Sequence, residues 1–250
     1  VRYGTLASTK SALYHRWFTY GEPEGPQSLD YYFWVLHNEK SVILVDTGFD
    51  PEVGARRGRQ TLCAPLDALD RLGLTPTLVV LTHLHYDHTG NLAAFPDLEL
   101  LVPSREAAFW QTPRSRHVLF LEHAEAGDLA LVDARLGDGS ARTFDDGDEL
   151  APGVVAVELP GHTPGQVGLR VTTSGGPVLL TSDAVHLYAE FDQRRPFAIF
   201  ADLAAMFASY DVVTAAIEAG AVMVPGHDPE VVQRFPAVPG AEGLALQIAG

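Results

Sequence analysis

Thr77-Leu78-Val79-Val80-Leu81-Thr82-His83-Leu84-His85-Tyr86-Asp87-His88 runs an apolar strand directly into three histidines and an aspartate. With ten histidines in 250 residues, a chance H-x-H-x-D-H has odds on the order of one in a thousand, so the motif carries meaning. A rigid strand end followed by a loop can aim several imidazoles at one place. In extended chain, alternate side chains share a face, so His83 and His85 point together. After the chain turns, Asp87 and His88 face a second point nearby. Two adjacent metal positions are the economical explanation of this pattern.

Working outward, residues 31–36 and 41–45 read as a hairpin around Asn38-Glu39-Lys40, ending at Asp46-Thr47-Gly48. Residues 65–72 place Leu66, Leu69 and Leu72 at helical spacing before Gly73. Residues 98–102 form a strand, and Ser104 is expected to cap a helix carrying Ala107, Ala108 and Trp110. The acidic run 145–149 reads as a solvated turn, because the spacing of a calcium loop is missing. Strands follow at 154–159, 166–172 and 177–181. Leu203, Met206, Phe207, Tyr210, Val213 and Ile217 mark an amphipathic helix closed at Gly220, and 221–224 is a last strand. Strands outnumber the helices that fall between them. The expectation is an α+β fold, with two sheets packed face to face and helices outside, in a single domain over residues 1–250.

Composition narrows the partners. The formal charge is −15, with 32 Asp and Glu against 17 Lys and Arg. Nucleic acid and anionic membranes need the opposite excess. The expected partner is a small molecule, neutral or cationic, and a homodimer remains compatible with the sequence. Cys63 is the single cysteine, so no intrachain disulfide forms; it reads as a small buried apolar residue. No window reaches the roughly 18 apolar residues of a spanning helix, and Arg2, Lys10, His15 and Arg16 interrupt the start where a signal peptide needs its apolar stretch. A cytoplasmic protein is expected.

Two metals need more ligands than one motif supplies. Other strand ends offer them: His162 in Gly161-His162-Thr163-Pro164-Gly165, Asp183 in Thr181-Ser182-Asp183, and His227 in Pro225-Gly226-His227-Asp228. Glycine and proline beside each let the backbone turn tightly. Imidazole and carboxylate without thiolate suit zinc, manganese, cobalt or iron.

His83, His85, Asp87 and His88, then His162, Asp183 and His227 in that order, resemble the metallo-β-lactamase superfamily over nearly the whole chain. The resemblance implies an αβ/βα sandwich with a binuclear metal site at one edge. It implies that His83, His85 and His162 hold one ion, that Asp87, His88 and His227 hold the other, and that Asp183 bridges them. It makes Asp46, in Val45-Asp46-Thr47-Gly48, a residue that orients a ligand. Two divalent ions are expected, zinc as isolated.

Within the superfamily, H-L-H-Y-D-H-T-G-N, G-H-T-P-G-Q and S-D-A are most similar to the quorum-quenching N-acyl homoserine lactonases. The β-lactam-cleaving zinc enzymes commonly have cysteine where Asp183 stands. The oxygen-reducing di-iron group has glutamate at the position of His85. With 23 residues after His227, the glutathione-binding extension of the glyoxalase II group is not expected. The resemblance implies a metal-dependent hydrolase whose bridging hydroxide opens a lactone ring; the alternative is a carboxylic ester or thioester hydrolase of the same fold. A metal-binding module without turnover is a third class, disfavoured by the complete ligand set. In these lactonases a tyrosine stands three residues after the bridging aspartate. Here His186 occupies that place and Tyr188 follows, so the candidate catalytic residues are Asp87, Asp183, His186 and Tyr188. Core packing is expected for Tyr31, Tyr32, Phe33 and Trp34, and a solvated charge pair for Arg194-Arg195.

Overall fold

The apolar runs become strands whose ends carry the chemistry. In chain order the first eight are β1 Arg2–Thr9, β2 Pro26–Tyr32, β3 Trp34–His37, β4 Val42–Val45, β5 Gln60–Thr61, β6 Leu78–Val80, β7 Glu99–Pro103 and β8 Ala141–Phe144. Five more follow: β9 Glu149–Ala151, β10 Val154–Glu158, β11 Val167–Thr173, β12 Gly176–Leu180 and β13 Val222–Val224. The computed structural model describes residues 1–249. They form two compact units. One is drawn from residues 1–4, 31–145 and 237–246, the other from 5–30, 146–236 and 247–249.

The first unit holds a sheet in the order β3-β4-β6-β7-β8. β3 and β4 are the expected antiparallel hairpin, with Trp34 opposite Val45, and the Asn38 side chain closes its turn by accepting from Lys40 N and Ser41 N. The remaining neighbours are parallel, with Val45 beside Val80 and Val80 beside Leu101. Val79, Val80, Leu100, Leu101 and Val102 are fully buried, as the unbroken apolar runs of a parallel sheet require. Helix Pro51–Arg56 starts on Asp50, whose Oδ1 accepts from Glu52 N and Val53 N. Helix Pro65–Leu72 has the expected bounds.

In the second unit the order is β13-β12-β11-β10-β9. β10 to β12 are successively antiparallel, while β12 and β13 are parallel, with Leu180 beside Val224. The carboxyl ends of β10, β12 and β13 therefore share one edge of this sheet. They lead to His162, Asp183 and His227. Helix Leu203–Glu218 is capped by Asp202 Oδ1, which accepts from Ala205 N at 3.0 Å.

Several expectations shift. The run 31–36 is broken between β2 and β3 at Phe33, although Tyr31, Tyr32, Phe33 and Trp34 are all buried as expected. Ser104 begins its helix rather than capping it, because its hydroxyl donates to Phe144 O at 3.0 Å and Pro103 occupies the cap position. Phe207 and Ile217 are exposed, leaving Met206, Tyr210 and Val213 as the buried stripe of their helix. Cys63 is only half-buried. Arg194 pairs with Asp211 at 2.9 Å, and Arg195 pairs with Glu22. Among the described residues no helix is long and apolar enough to cross a membrane.

Candidate metal centre

In the first unit, the ends of β4 and β6 bring Asp46 and Thr82 together. Asp46 Oδ1 accepts from Thr82 N and Oδ2 from Thr82 Oγ1, each at 2.8 Å. The same Oδ2 lies 2.8 Å from His88 Nδ1. A carboxylate can only accept, so the ring proton sits on Nδ1 and the lone pair of His88 is on Nε2, the nitrogen suited to a metal. Asp46 adopts φ +61°, a left-handed conformation that aspartate tolerates better than most residues. The His83 ring centroid is 4.7 Å from that of His85 and 4.0 Å from that of His88. Between the first two histidines, Leu84 N donates to the fully buried Glu106 at 3.1 Å, and Trp110 Nε1 donates to the same oxygen at 2.8 Å. The hydroxyl of Tyr3 donates to Asp87 O at 2.9 Å and accepts from Phe49 N at 3.0 Å. At Gly90 a Cβ would lie 2.4 Å from Asp50 N. Only glycine lets the histidine loop rest against the turn that carries Asp46.

The second unit gathers three imidazoles around Asp183. His162 Nε2 is 3.5 Å from Asp183 Oδ2, His186 Nε2 is 3.3 Å from it, and His227 Nε2 is 3.0 Å from Oδ1. All four side chains are buried. His162 Nδ1 donates to Ile199 O and His227 Nδ1 to Asp30 O, each at 3.0 Å. Those bonds fix the tautomers and leave two Nε2 lone pairs aimed at carboxylate oxygens. Lone pair against carboxylate is repulsive in a buried setting unless a proton or a cation stands there. The ligand atoms of His162, Asp183 and His186 all lie within 4.8 Å of one another. His162, Asp183 and His227 fit a divalent metal ion in both their chemistry and their arrangement. At Gly226 a Cβ would come within 2.9 Å of Asp183 Oδ1, so this turn too must be glycine.

The segment after Asp183 differs from a strand. Ser182–Ala184 is a short 3₁₀ turn and Tyr188–Asp192 a short helix. The turn brings His186 back to Asp183. Burial disfavours the His186 cation, but the facing carboxylates of Glu190 and Asp183 outweigh it and its pKa is pushed up to about 9. Tyr188 is not brought to this cluster. Its hydroxyl donates to Met223 O at 3.4 Å, and the Arg234 guanidinium covers its ring at 3.5 Å. Two buried carboxyls were missed by sequence reasoning: Glu106 and Glu190. Neither stands in a motif. Glu106 takes its backbone donor from Leu84, 22 residues earlier, whereas Glu190 accepts from His186 N and Leu187 N in the turn just before it, from Phe197 N and from the Tyr210 hydroxyl.

The sequence profile described as the metallo-beta-lactamase superfamily matches residues 28–227. The chain belongs to the metallo-beta-lactamase superfamily. Among its curated relatives in that superfamily is an N-acyl homoserine lactonase of a Bacillus species, 29% identical over 185 residues, which are 67% of this chain and 68% of the relative. Another is the N-acyl homoserine lactonase AttM of Azorhizobium caulinodans, 31% identical over 68% of this chain and 65% of the relative. A solved structure of a quorum-quenching N-acyl homoserine lactone lactonase superposes with a TM-score of 0.78 at 23% identity, covering 96% of this chain and 95% of that one. At that identity the likeness shows the metallo-β-lactamase fold, the αβ/βα architecture expected from the motif.

Proposed function

We propose that this hydrolase of the metallo-β-lactamase superfamily opens the ring of a neutral lactone, with an N-acyl homoserine lactone as the model substrate. The observation that carries the proposal is the buried Asp183 with the Nε2 atoms of His162, His186 and His227 turned to it at 3.0–3.5 Å. Lactonase names among the relatives support the substrate class. In this reading residues 1–250 work as one metallo-hydrolase domain, and the lone cysteine and acidic surface suit the cytoplasm. His83, His85, Asp87 and His88, together with His162, Asp183 and His227, hold two divalent ions, zinc being the first candidate.

Bound there, the ions would supply hydroxide at neutral pH and polarise the lactone carbonyl. The chain's own groups do the rest. Asp46, Ile199 O and Asp30 O keep the rings of His88, His162 and His227 in one tautomer and one orientation. Asp87 or Asp183 orients the attacking oxygen, accepts its proton and relays it to the leaving oxygen. His186 Nε2 hydrogen-bonds the carbonyl or leaving oxygen. His186 is preferred to Tyr188 because the tyrosine hydroxyl is engaged by Met223 O.

Metal analysis combined with a panel of lactones, linear esters and thioesters of matched acyl length tests this reading. Close to two ions per chain and the highest kcat/KM on lactones are expected. Full activity with one ion or fewer overturns the binuclear site. A large preference for thioesters moves the assignment to the alternative hydrolase, and bound metal with no turnover moves it to a binding module.

A further inference from the structure

Glu190 has no role in the mechanism above, yet its side chain is fully buried beside the site. Three backbone N–H groups and one hydroxyl donate to it. Oε2 accepts from His186 N at 2.7 Å and Leu187 N at 3.2 Å, and lies 3.3 Å from His186 Nδ1. Oε1 accepts from Phe197 N at 3.2 Å and from the Tyr210 hydroxyl at 2.6 Å. A buried carboxyl is costly unless its lone pairs are satisfied, and this one is satisfied by the backbone of His186, Leu187 and Phe197 and by the Tyr210 hydroxyl.

That imidazole has two rotational choices. A half-turn about its Cβ–Cγ bond keeps the same volume but places Cε1 where Nε2 stood, which removes the polar atom facing Asp183. The contact of Nδ1 with Glu190 selects the productive choice. The ring plane is set by Phe197, stacked on His186 with centroids 3.6 Å apart and planes 11° apart. Phe197 in turn is held through its own backbone N–H by the same carboxyl.

We propose that Glu190 is a positioning residue for the hydrolysis: it holds His186 Nδ1, so that Nε2 is the atom presented to Asp183 and to the substrate oxygen. Tyr210 steadies Glu190 from the opposite side through its hydroxyl. The proposal rests on the hydrolytic reading of the site, with His186 as hydrogen-bond donor. A carboxyl that merely glued residues 186–197 together would affect stability and not the state of one ring nitrogen.

The test uses the zinc-loaded enzyme and its Glu190→Gln, His186→Ala, Glu190→Gln/His186→Ala and Tyr210→Phe variants. Glu190→Gln is expected to keep its metal, to lose roughly 10- to 100-fold in kcat, and to change KM by about twofold or less. In the double variant the loss should equal that of His186→Ala alone, since the glutamate acts only through the histidine. Nitrogen-15 NMR of His186 should show a strongly hydrogen-bonded Nδ1 proton in the wild type, absent in Glu190→Gln. Tyr210→Phe, a milder change, should shift kcat and that resonance in the same direction by less, and it serves if Glu190→Gln fails to fold. Losses that multiply in the double variant overturn the proposal, as does an Nδ1 resonance unchanged in Glu190→Gln or, where only Tyr210→Phe folds, in that variant. If the wild type hydrolyses nothing, the proposed function fails, while the resonance still decides whether Glu190 holds the ring.

Discussion

Asp46 binds three donors with two oxygens: the backbone and hydroxyl of Thr82 and the ring of His88. Its removal should therefore be felt as weaker metal retention. Asp46→Ala is expected to lower metal affinity by roughly 10- to 100-fold, read by competition with a chelator; unchanged retention would show that His88 is oriented by something else. Asp183→Asn should lose metal and activity together, because in the proposed centre it removes the charge that would offset two cations. Tyr188→Phe should leave metal content intact and kcat/KM within about twofold, since a hydroxyl bonded to Met223 O stabilises no reacting atom. His83, His85 and His88 were legible together in the sequence because their spacing gathers them at one strand end, while His162 and His227 stood out by following other apolar strands beside glycine and proline. Glu106 and Glu190 were not, because a carboxyl's role there is defined by N–H groups that folding brings to it. The choice between His186 and Tyr188 waited on the turn at Ser182–Ala184, whose strand-like alternative would have aimed both differently.

The segments that present the ligands are held by close backbone packing. Gly161 adopts φ +134°, and a Cβ there would lie 2.4 Å from Met206 N. Its carbonyl accepts from Ala201 N at 2.8 Å and Asp202 N at 3.0 Å, so the loop of His162 is docked on the start of helix Leu203–Glu218. Gly161→Ala should lower the melting temperature by roughly 5–10 °C, with metal affinity falling in parallel. A melting curve coincident with the wild type would disprove that docking. The sequence disclosed this helix through its apolar stripe but not helix Ala126–Asp138. There the buried side includes Arg135 beside Leu129 and Val132. Its guanidinium donates to Phe95 O at 3.1 Å and Ser140 O at 3.3 Å, and also to Leu98 O. A charged residue facing inward hides the amphipathic pattern on which such a reading depends. Parallel strands such as β6 were legible for the opposite reason, being apolar on both faces.

Over the whole molecule, a charge of −15 sets what may approach. A neutral lactone feels little of this field, so its kcat/KM should change by about twofold or less between dilute buffer and ~0.5 M salt. An anionic substrate should gain steeply as salt screens repulsion. Rates measured across that range for matched neutral and anionic substrates check this, and a neutral lactone whose rate climbs with salt would contradict it. The general class of fold was legible from the alternation of strands and helices. The path of the chain was not, because nothing local announces that residues 5–30 fold with residues beyond 145. That path has a genetic consequence. A gene cut between Asp145 and Asp146 yields no self-sufficient half: the downstream product lacks Asp30, whose carbonyl fixes the His227 ring, and Leu13, whose carbonyl accepts from Ala198 N. Neither compact unit is thus encoded by a contiguous half of the gene, and each needs both ends of the message to be read through.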